Sequence, residues 1–202
     1  VPKRLRTHEV TAWLGPNLHA IQYPVRRGEL QNLVVIVQGP APEDLDHWDH
    51  SVNLPDLLKH LKGTCAYLHD LVQHVPGAGG EWRLWPVADR VPVSSSAQMA
   101  QGLVALLGDA AHPMRPYLAQ GAGMAIEDAA ELQSALSMHD LDVSLRLRRY
   151  ALNRWQRNAR AQERSLRNGR IFHSTGVVRW GRDMSLRALG GRILDVPWLY
   201  EG

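Results

Sequence analysis

The sequence has few features that would tie a protein to the cell exterior or to a membrane. Its 202 residues include a single cysteine, Cys65, so no internal disulfide can form, and such cysteine usage is typical of a reducing cytoplasm. The longest apolar runs, residues 33–37 and 103–107, have the length of β-strands and are too short to cross a bilayer. No apolar run follows the first four residues, as it would in a signal peptide. We therefore expect a cytoplasmic protein without a membrane partner.

A large excess of charge of one sign is also missing. The formal net charge is +3, which does not by itself indicate a nucleic-acid partner. Nine arginines do fall between Arg146 and Arg170, and a module that binds nucleic acid or an acidic partner is an alternative interpretation of them. Glu163 and an apolar stripe accompany these arginines, and aromatic residues for base stacking are few. A solvated helix face is therefore favoured, and no nucleic acid is expected.

The first part of the chain has the pattern of a sheet followed by helices. Short alternating or β-branched runs predict strands at residues 8–14, 19–25, 30–37 and 81–87. The second and third of these are joined by four residues that include Gly28, which predicts an antiparallel hairpin. Leucines at helical spacing predict helix over residues 54–75, divided at Gly63. Thr64 is the predicted N-cap of the second helix, which the glycine-rich residues 76–80 should end.

The second part of the chain predicts one buried strand and two longer helices. Residues 103–107 are continuously apolar, which is typical of a strand buried on both faces of a parallel sheet. Residues 141–172 predict a long helix that breaks near Asn168-Gly169. Its predicted apolar stripe consists of Leu141, Leu145, Leu152, Trp155, Ala159 and Leu166. A further helix is predicted over residues 124–136. Its predicted inward residues are Ile126, Ala129, Ala130, Leu132 and Leu136.

The segment between the predicted strand and the next helix has the residues for ligand binding. Asp109 follows the strand directly, where open α/β sheets place ligands, and an ionised carboxylate accepts hydrogen bonds from sugar or ribityl hydroxyls. Residues 121–124 begin the next helix, where unpaired N–H groups and the helix dipole stabilise an anion such as reduced flavin. Small side chains around Asp109 let the backbone approach a flat ligand. They are Ala110, Ala111, Ala119, Gly121, Ala122 and Gly123.

The stretch 106–129 resembles the second flavin-binding motif of the single-component flavoprotein aromatic hydroxylases, such as salicylate hydroxylase and 3-hydroxybenzoate 6-hydroxylase. It contains Gly-Asp-Ala-Ala-His-Pro at 108–113 and Gln-Gly-Ala-Gly-Met-Ala-Ile-Glu-Asp-Ala at 120–129. The resemblance implies that Asp109 binds the ribityl chain of FAD and that Pro116 lies beside the reactive edge of the flavin ring. His112 belongs to the motif, and we expect a structural hydrogen-bonding role for it. Backbone contacts to the pyrimidine end of the ring are expected from Gly121, Ala122, Gly123 and Met124.

A second resemblance lies in the first predicted strands. Residues 13–16 and 19–25 resemble substrate-domain strands of the same family, in which a histidine and a tyrosine four residues later line the substrate pocket. Those positions are His19 and Tyr23, which a strand places on one face. A neutral histidine could take the proton of a phenol while the tyrosine orients it, which would activate the ring for hydroxylation. The alternative is that both are ordinary residues of a sheet face.

The resemblance implies an α/β parent fold, which is α+β in this chain. It consists of part of an FAD-binding domain of the aromatic hydroxylase type, part of a mixed or antiparallel substrate-domain sheet, and a long C-terminal helix. The expected domains are 1–88 for substrate binding, 89–140 for the C-terminal part of the FAD-binding domain, and 141–202 for a helical region. The implied reaction is hydroxylation of a phenolic or benzoate-like ring with FAD, NAD(P)H as reductant, and O2. The substrate, the choice of NADH or NADPH, and the oligomeric state, a homodimer included, stay open.

One unit of that family is missing from this sequence. The strand, Gly-x-Gly-x-x-Gly turn and helix that bind the pyrophosphate of FAD are absent, and the glycines within residues 77–80 lack that context. We therefore expect this chain by itself to bind FAD poorly, and the absence of an initiator methionine is consistent with a fragment. A non-catalytic remnant used for interaction is an alternative. A zinc site is a further hypothesis, but the spacing of its candidate ligands fits no common pattern, so no metal is expected; the candidates are His47, Asp49, His50, His60, His69 and His74.

Overall fold

The computed structural model of the chain describes residues 2–40, 50–51, 54–190 and 196–199. The chain divides by packing into two compact units. Val1–Pro86 with Ile171–Gly202 is here called the sheet unit, and Val87–Arg170 the motif unit. The predicted mixture of helices and strands is confirmed, while the domain boundaries near residues 88 and 140 stay predictions. No helix in the described ranges is both long enough and apolar enough to cross a membrane.

The sheet unit is built on a three-stranded antiparallel sheet. β1 is Thr11–Gly15, β2 is Leu18–Val25 and β3 is Leu30–Val37, and β2 lies in the middle. The predicted hairpin is confirmed, since all eight residues of β2 pair with β3. β1 begins three residues later than predicted. Because side chains alternate between the two faces of a strand, Leu18 and Ala20 enter the core together.

Two helices pack on the core face of this sheet. α1 is Leu54–His60 and α2 is Ala66–Gly77. The predicted division between them is confirmed, with Gly63 at φ +84° where the chain turns. The predicted N-cap was wrong, because α2 begins one residue further on: Cys65 is the N-cap residue, and the hydroxyl of Thr64 is buried without a described partner. The core of the sheet unit consists of Leu18, Ala20, Leu61, Leu68 and Val72.

The other elements of the sheet unit differ from the sequence-based prediction. β4, His50–Ser51, pairs antiparallel with β5, Arg83–Leu84, so the strand predicted over residues 81–87 is reduced to two residues. Both residues of β5 are exposed, so little burial is available to extend the pairing. α5, Gly176–Leu189, lies in the region expected to be helical, residues 141–202, but no separate helix was predicted there. Its Val177 and Trp180 are 84% and 67% exposed, which is not the pattern of a helix with its apolar face buried.

In the motif unit, the strand predicted at residues 103–107 was wrong in length, pairing and burial. β7, Val104–Ala105, pairs antiparallel with β6, Ala100–Gln101. The side chains of Leu103 and Val104 are 76% and 64% exposed. In the described part of the chain no parallel strand lies beside this run, and the short β6 is its single strand partner, so these apolar side chains stay exposed.

The predicted helix of residues 124–136 is α3, Gly121–Leu136, which begins three residues earlier. Its inward face is not the predicted one, since only Leu132 packs partly against the core. The other four predicted residues are exposed, namely Ile126, Ala129, Ala130 and Leu136. The helix instead buries Met124, Asp128 and Ala135. The prediction failed because it treated only apolar residues as inward, whereas the buried face here includes a carboxylate.

The long helix is α4, Val143–Phe172, and it continues through Asn168 and Gly169 without the predicted break. The predicted apolar stripe was largely wrong, because Leu145 and Leu152 are 46% and 50% exposed. The residues that α4 buries are in large part polar or small. They are Leu147, Tyr150, Ala151, Arg154, Asn158, Ala159, Ala161, Gln162, Ser165 and Gly169.

Candidate functional site

The predicted flavin ligand Asp109 lies in a single 3-10 turn, Gly108–Ala110. Gly108 has φ +55°, and a Cβ on it would lie 3.2 Å from the Cβ of Ala125, so glycine is required by both conformation and space. The side chain of Asp109 is exposed, and its Oδ1 lies 3.9 Å from the point where a Cβ on Gly121 would stand. The turn therefore brings the carboxylate to the first residue of α3.

Three backbone N–H groups at the start of α3 have no hydrogen-bond partner within the described ranges. They belong to Gly121, Ala122 and Gly123. Met124 differs, because its N–H donates to the Gln120 carbonyl at 2.9 Å and its side chain is completely buried. Open N–H groups at a helix N-terminus favour a negatively charged ligand atom. With the exposed acceptor Asp109 beside them, this set of donors and acceptors fits the ribityl hydroxyls and the pyrimidine end of a flavin.

The loop that leads to α3 is held by polar side chains of α4. Three hydrogen bonds to backbone carbonyls run from Gln162 to Pro113, from Ser165 to Arg115 and from Asn168 to Tyr117, at 3.1, 2.6 and 3.1 Å. These carbonyls lie on both sides of Pro116, which is exposed. The buried polar face of α4 therefore fixes the proline that the resemblance places near the reactive edge of the flavin.

Asp128 is the centre of a buried network that the sequence analysis missed. Its Oδ2 accepts from Gly108 N at 3.0 Å and contacts His112 Nε2 at 2.6 Å. Its Oδ1 accepts from Arg154 Nε at 2.8 Å and Asn158 Nδ2 at 3.0 Å. The predicted structural role of His112 is thereby confirmed. The network ties the turn of Asp109 to α3 and α4 at once.

The electrostatics of Asp128 favour the ionised carboxylate. Burial alone would raise its pKa, but the hydrogen bonds from His112, Asn158, Arg154 and the Gly108 N–H outweigh burial and hold the pKa far below its usual range. The spacing of apolar residues in a helix does not by itself indicate a buried carboxylate. The available signal was the acidic pair Glu127-Asp128 in a helix followed by arginines, since a buried carboxylate needs a cationic partner.

His19 and Tyr23, the predicted catalytic residues, lie on the face of β2 opposite Leu18 and Ala20. His19 is completely buried, and its Nδ1 lies 2.7 Å from Nε2 of His173. The ring of Phe172 meets the His19 ring edge-on, with 5.4 Å between the ring centroids. Tyr23 is half-buried. His19 is therefore closed to solvent in this structure, and the Phe172 ring is one of the groups that pack against it.

The predicted site residues fall into two sets. Asp109, Gly121, Ala122 and Gly123 are brought together in the motif unit, with Pro116 on the loop between them, whereas His19 and Tyr23 belong to the sheet unit. For the zinc hypothesis, His47 and Asp49 lie outside the described residues. Within the described ranges, no three His, Cys, Asp or Glu side chains are grouped as a metal site would require.

Residues 6–165 match the FAD binding domain family, which shows the class of protein. The chain belongs to this family. Among particular relatives, it is 36% identical over 201 residues to 3-hydroxybenzoate 6-hydroxylase of Polaromonas naphthalenivorans (strain CJ2), covering 98% of this chain and 48% of that protein. It is 34% identical over 204 residues to 3-hydroxybenzoate 6-hydroxylase 2 of Aquipseudomonas alcaligenes, covering 98% of this chain and 60% of that protein. The chain thus spans roughly half the length of the curated relatives it matches, and the predicted resemblance to aromatic hydroxylases is confirmed.

Solved structures show the same fold. A salicylate hydroxylase substrate complex matches with a TM-score of 0.77 at 24% identity, over 96% of this chain and 47% of that one. HpxO of Klebsiella pneumoniae, complexed with FAD and uric acid, matches with a TM-score of 0.72 at 22% identity, over 92% of this chain and 46% of that one.

Proposed function

We propose that the chain is part of an FAD-dependent monooxygenase that hydroxylates a phenolic or benzoate-like ring with NAD(P)H and O2. The observation that carries the proposal is the exposed carboxylate of Asp109 beside the three open N–H groups at the start of α3. Two relatives are named as 3-hydroxybenzoate hydroxylases, which supports a ring with both a hydroxyl and a carboxylate as substrate.

Each predicted flavin-site residue of the motif unit then has a proposed role in binding the flavin. Asp109 accepts hydrogen bonds from the ribityl hydroxyls, and the N–H groups of Gly121, Ala122 and Gly123 bind the pyrimidine end of the ring. The helix dipole of α3 stabilises the negative charge of the reduced ring. Pro116, on the loop before α3, would lie beside the reactive edge of the bound flavin. The bound flavin supplies the redox and oxygen chemistry, while the protein orients it and tunes its charge.

We further propose that His19 is the base for the substrate hydroxyl and that Tyr23 orients that hydroxyl. Burial, and after it the charge of His173, lower the pKa of His19 from 6.5 to about 4. The ring is therefore neutral near pH 7, the form in which a ring nitrogen can accept a proton, although the lowered pKa also makes it a weaker base. Deprotonation of the phenol raises the electron density of the ring and so favours its hydroxylation.

The proposed function is tested with the protein expressed from its complete reading frame and saturated with FAD. NADH or NADPH oxidation, O2 uptake and product are measured with 3-hydroxybenzoate, with salicylate, and with benzoate as a ring without a hydroxyl. We expect product from at least one of the two phenols and none from benzoate. Retention of FAD without hydroxylation of any hydroxylated ring in a broader panel would contradict the proposal.

A further inference from the structure

The loop between the turn of Asp109 and the start of α3 has its two ends close together. Asp109 Oδ1 lies 3.9 Å from the point where a Cβ on Gly121, at the far end of the loop, would stand. Residues 110–120 therefore form a closed surface loop of the Ω type, a kind of loop that is frequently functional. A ligand held at Asp109 and Gly121 would border this loop, and Pro116 is exposed on it.

The loop runs along α4, and every second carbonyl from residue 113 to residue 117 accepts a hydrogen bond from an α4 side chain. The bonded pairs are Gln162 with Pro113, Ser165 with Arg115, and Asn168 with Tyr117. The bond of Ser165 is the shortest, at 2.6 Å, and its side chain is completely buried. A hydroxyl has one hydrogen, and Ser165 uses it on a carbonyl 50 residues earlier rather than on the carbonyl one turn before it in α4.

This middle bond fixes a tight turn centred on Pro116. Tyr117 N donates to the Arg115 carbonyl at 2.8 Å, which closes a three-residue γ-turn. Proline suits the centre of the turn, because its ring fixes φ at about −65°, close to the value of about −75° in an inverse γ-turn. Since Pro116 has no N–H, the Arg115 carbonyl is the single hydrogen-bonding atom of the peptide group that joins them. In the part of the chain that the structure describes, the Ser165 hydroxyl therefore ties the orientation of this peptide group to α4.

We propose that Ser165 is a positioning residue for ring hydroxylation: its hydroxyl holds the γ-turn of Pro116 in one orientation at the flavin site. The inference rests on the proposed function, in which Pro116 would lie beside the reactive edge of the bound flavin. In coupled turnover NAD(P)H supplies two electrons, one atom of O2 enters the ring and the other leaves as water. In uncoupled turnover both oxygen atoms leave as hydrogen peroxide. We expect a displaced turn to disturb the placing of the ring more than the reduction by NAD(P)H, and so to favour hydrogen peroxide.

The turn is tested first in the 202-residue chain, by hydrogen exchange of the Tyr117 amide followed by NMR. Ser165→Ala removes the hydroxyl, and alanine is smaller than serine and favours helix, so α4 should persist. We expect the Tyr117 amide to exchange about tenfold faster in Ser165→Ala, because its turn loses one supporting hydrogen bond. The Met124 amide, hydrogen-bonded in the first turn of α3, should keep its rate.

Ser137→Ala is the matched control for this measurement. The Ser137 hydroxyl also donates to a backbone carbonyl, that of Gln133 at 2.9 Å, but at an exposed site. It should leave the exchange of the Tyr117 amide as in the wild-type chain. An unchanged Tyr117 amide in Ser165→Ala, or an equal acceleration of the Tyr117 and Met124 amides, would overturn the inference, because the hydroxyl would then not hold the turn specifically.

The catalytic consequence is tested in the protein expressed from its complete reading frame, saturated with FAD, with a hydroxylated ring that it accepts. NAD(P)H oxidation, hydroxylated product and hydrogen peroxide are measured together. We expect Ser165→Ala to oxidise NAD(P)H within about twofold of the wild-type rate, while the share of hydrogen peroxide rises at least about threefold at the expense of product. Ser137→Ala should keep the wild-type ratio of product to hydrogen peroxide.

The outcomes separate the inference from the proposed function. If the wild-type protein hydroxylates a ring and Ser165→Ala forms product and hydrogen peroxide in the wild-type ratio, the role of Ser165 in hydroxylation is refuted and the proposed function stands. If the wild-type protein hydroxylates no ring, the proposed function has failed and the catalytic part of the inference fails with it. Hydrogen exchange in the chain still decides whether Ser165 holds the turn.

Discussion

At the scale of single residues, the carboxylate of Asp128 illustrates how a buried charge can organise a ligand turn. Four donors reach its two oxygens, from Gly108, His112, Arg154 and Asn158. The charge is thereby compensated, and the turn that presents Asp109 is attached to two helices. Removal of the charge leaves the buried Arg154 with the partly exposed Glu127 as its remaining carboxylate partner, which is costly.

We predict that Asp128→Asn lowers the free energy of unfolding by about 3–5 kcal/mol, because the side chain keeps its shape but its buried donors lose their charged acceptor. Urea unfolding of the chain measures this. The neighbouring Glu127→Gln is the matched control, since Glu127 is partly exposed and pairs with Arg154 and Arg157. Its cost should stay within about 1 kcal/mol. Equal costs for the two variants would show that the buried network is not the dominant interaction.

The lowered pKa of His19 predicts a pH dependence of stability. The unfolded chain binds a proton on this histidine near pH 6.5, but the folded chain binds it only near pH 4. Between these values the unfolded state holds more protons, so the free energy of unfolding falls as the pH is lowered from 6.5 to 4. The full effect is on the order of 3 kcal/mol.

Urea unfolding at several pH values checks this dependence. His19→Gln should flatten the slope between pH 6.5 and 4, whereas His139→Gln, at an exposed histidine, should leave the slope as in the wild-type chain. A wild-type slope that persists in His19→Gln would mean that another group is responsible.

At the scale of elements, α4 shows where sequence patterns succeed and where they fail. Its extent could be predicted almost to the residue, since the sequence indicated helix over 141–172 and the structure has Val143–Phe172. Its buried face could not be predicted, because the spacing of apolar residues does not show which polar residues face inward. Gln162, Ser165 and Asn168 instead bond to carbonyls of a loop about 50 residues earlier, and such long-range partners leave no periodic signal.

Gly169 is another residue of α4 whose role depends on a contact with a distant part of the sequence. It was interpreted as a helix break, but it lies within α4, and a Cβ on it would stand 2.3 Å from the ring of Tyr117. We predict that Gly169→Ala lowers the free energy of unfolding by about 1–3 kcal/mol, because the ring must move. Gly181→Ala in α5 is the matched control, since no atom lies within 4 Å of its Cβ position and alanine favours helix by about 0.5–1 kcal/mol. Denaturant unfolding should give opposite signs, and stabilisation by both would contradict the packing.

The strand predicted at residues 103–107 failed for a related reason. A continuous apolar run indicates burial only when other strands lie on both sides of it, and the described chain has just the short pairing of β6 with β7. The hairpin of β2 and β3 was predictable because its partner is the next segment along the chain. The partner of a hairpin strand is the adjacent segment, so the local sequence predicts it. The neighbours of a parallel strand are distant in the sequence, so the local sequence does not.

At the scale of the whole molecule, the class of the protein was predictable because the flavin motif is a contiguous stretch with several fixed residue types. The structure adds the proximity of Asp109 to Gly121, which the spacing alone does not give. The pairing of His19 with His173 could not be predicted, since 154 residues separate them.

Weak binding of FAD by this chain alone stays a prediction. The chain has the proposed Asp109 site but no Gly-x-Gly-x-x-Gly unit for the pyrophosphate, so we expect it to contact only part of the cofactor. Fluorescence titration of the 202-residue chain with FAD should give a dissociation constant well above the micromolar range. The protein from the complete reading frame, titrated in the same buffer, is the reference. Tight binding by the chain alone would overturn this prediction.

The measurement that tests the central claim most directly is the flavin affinity of Asp109→Ala in the protein expressed from its complete reading frame. Asp140→Ala, at an exposed aspartate in a turn, is the control. Loss of hydrogen bonds to a charged acceptor is expected to raise the dissociation constant for FAD about tenfold to a hundredfold in Asp109→Ala, with no change in the control. Wild-type affinity in Asp109→Ala, or a structure of the complex with the flavin away from Asp109 and the start of α3, would contradict the assignment of this site.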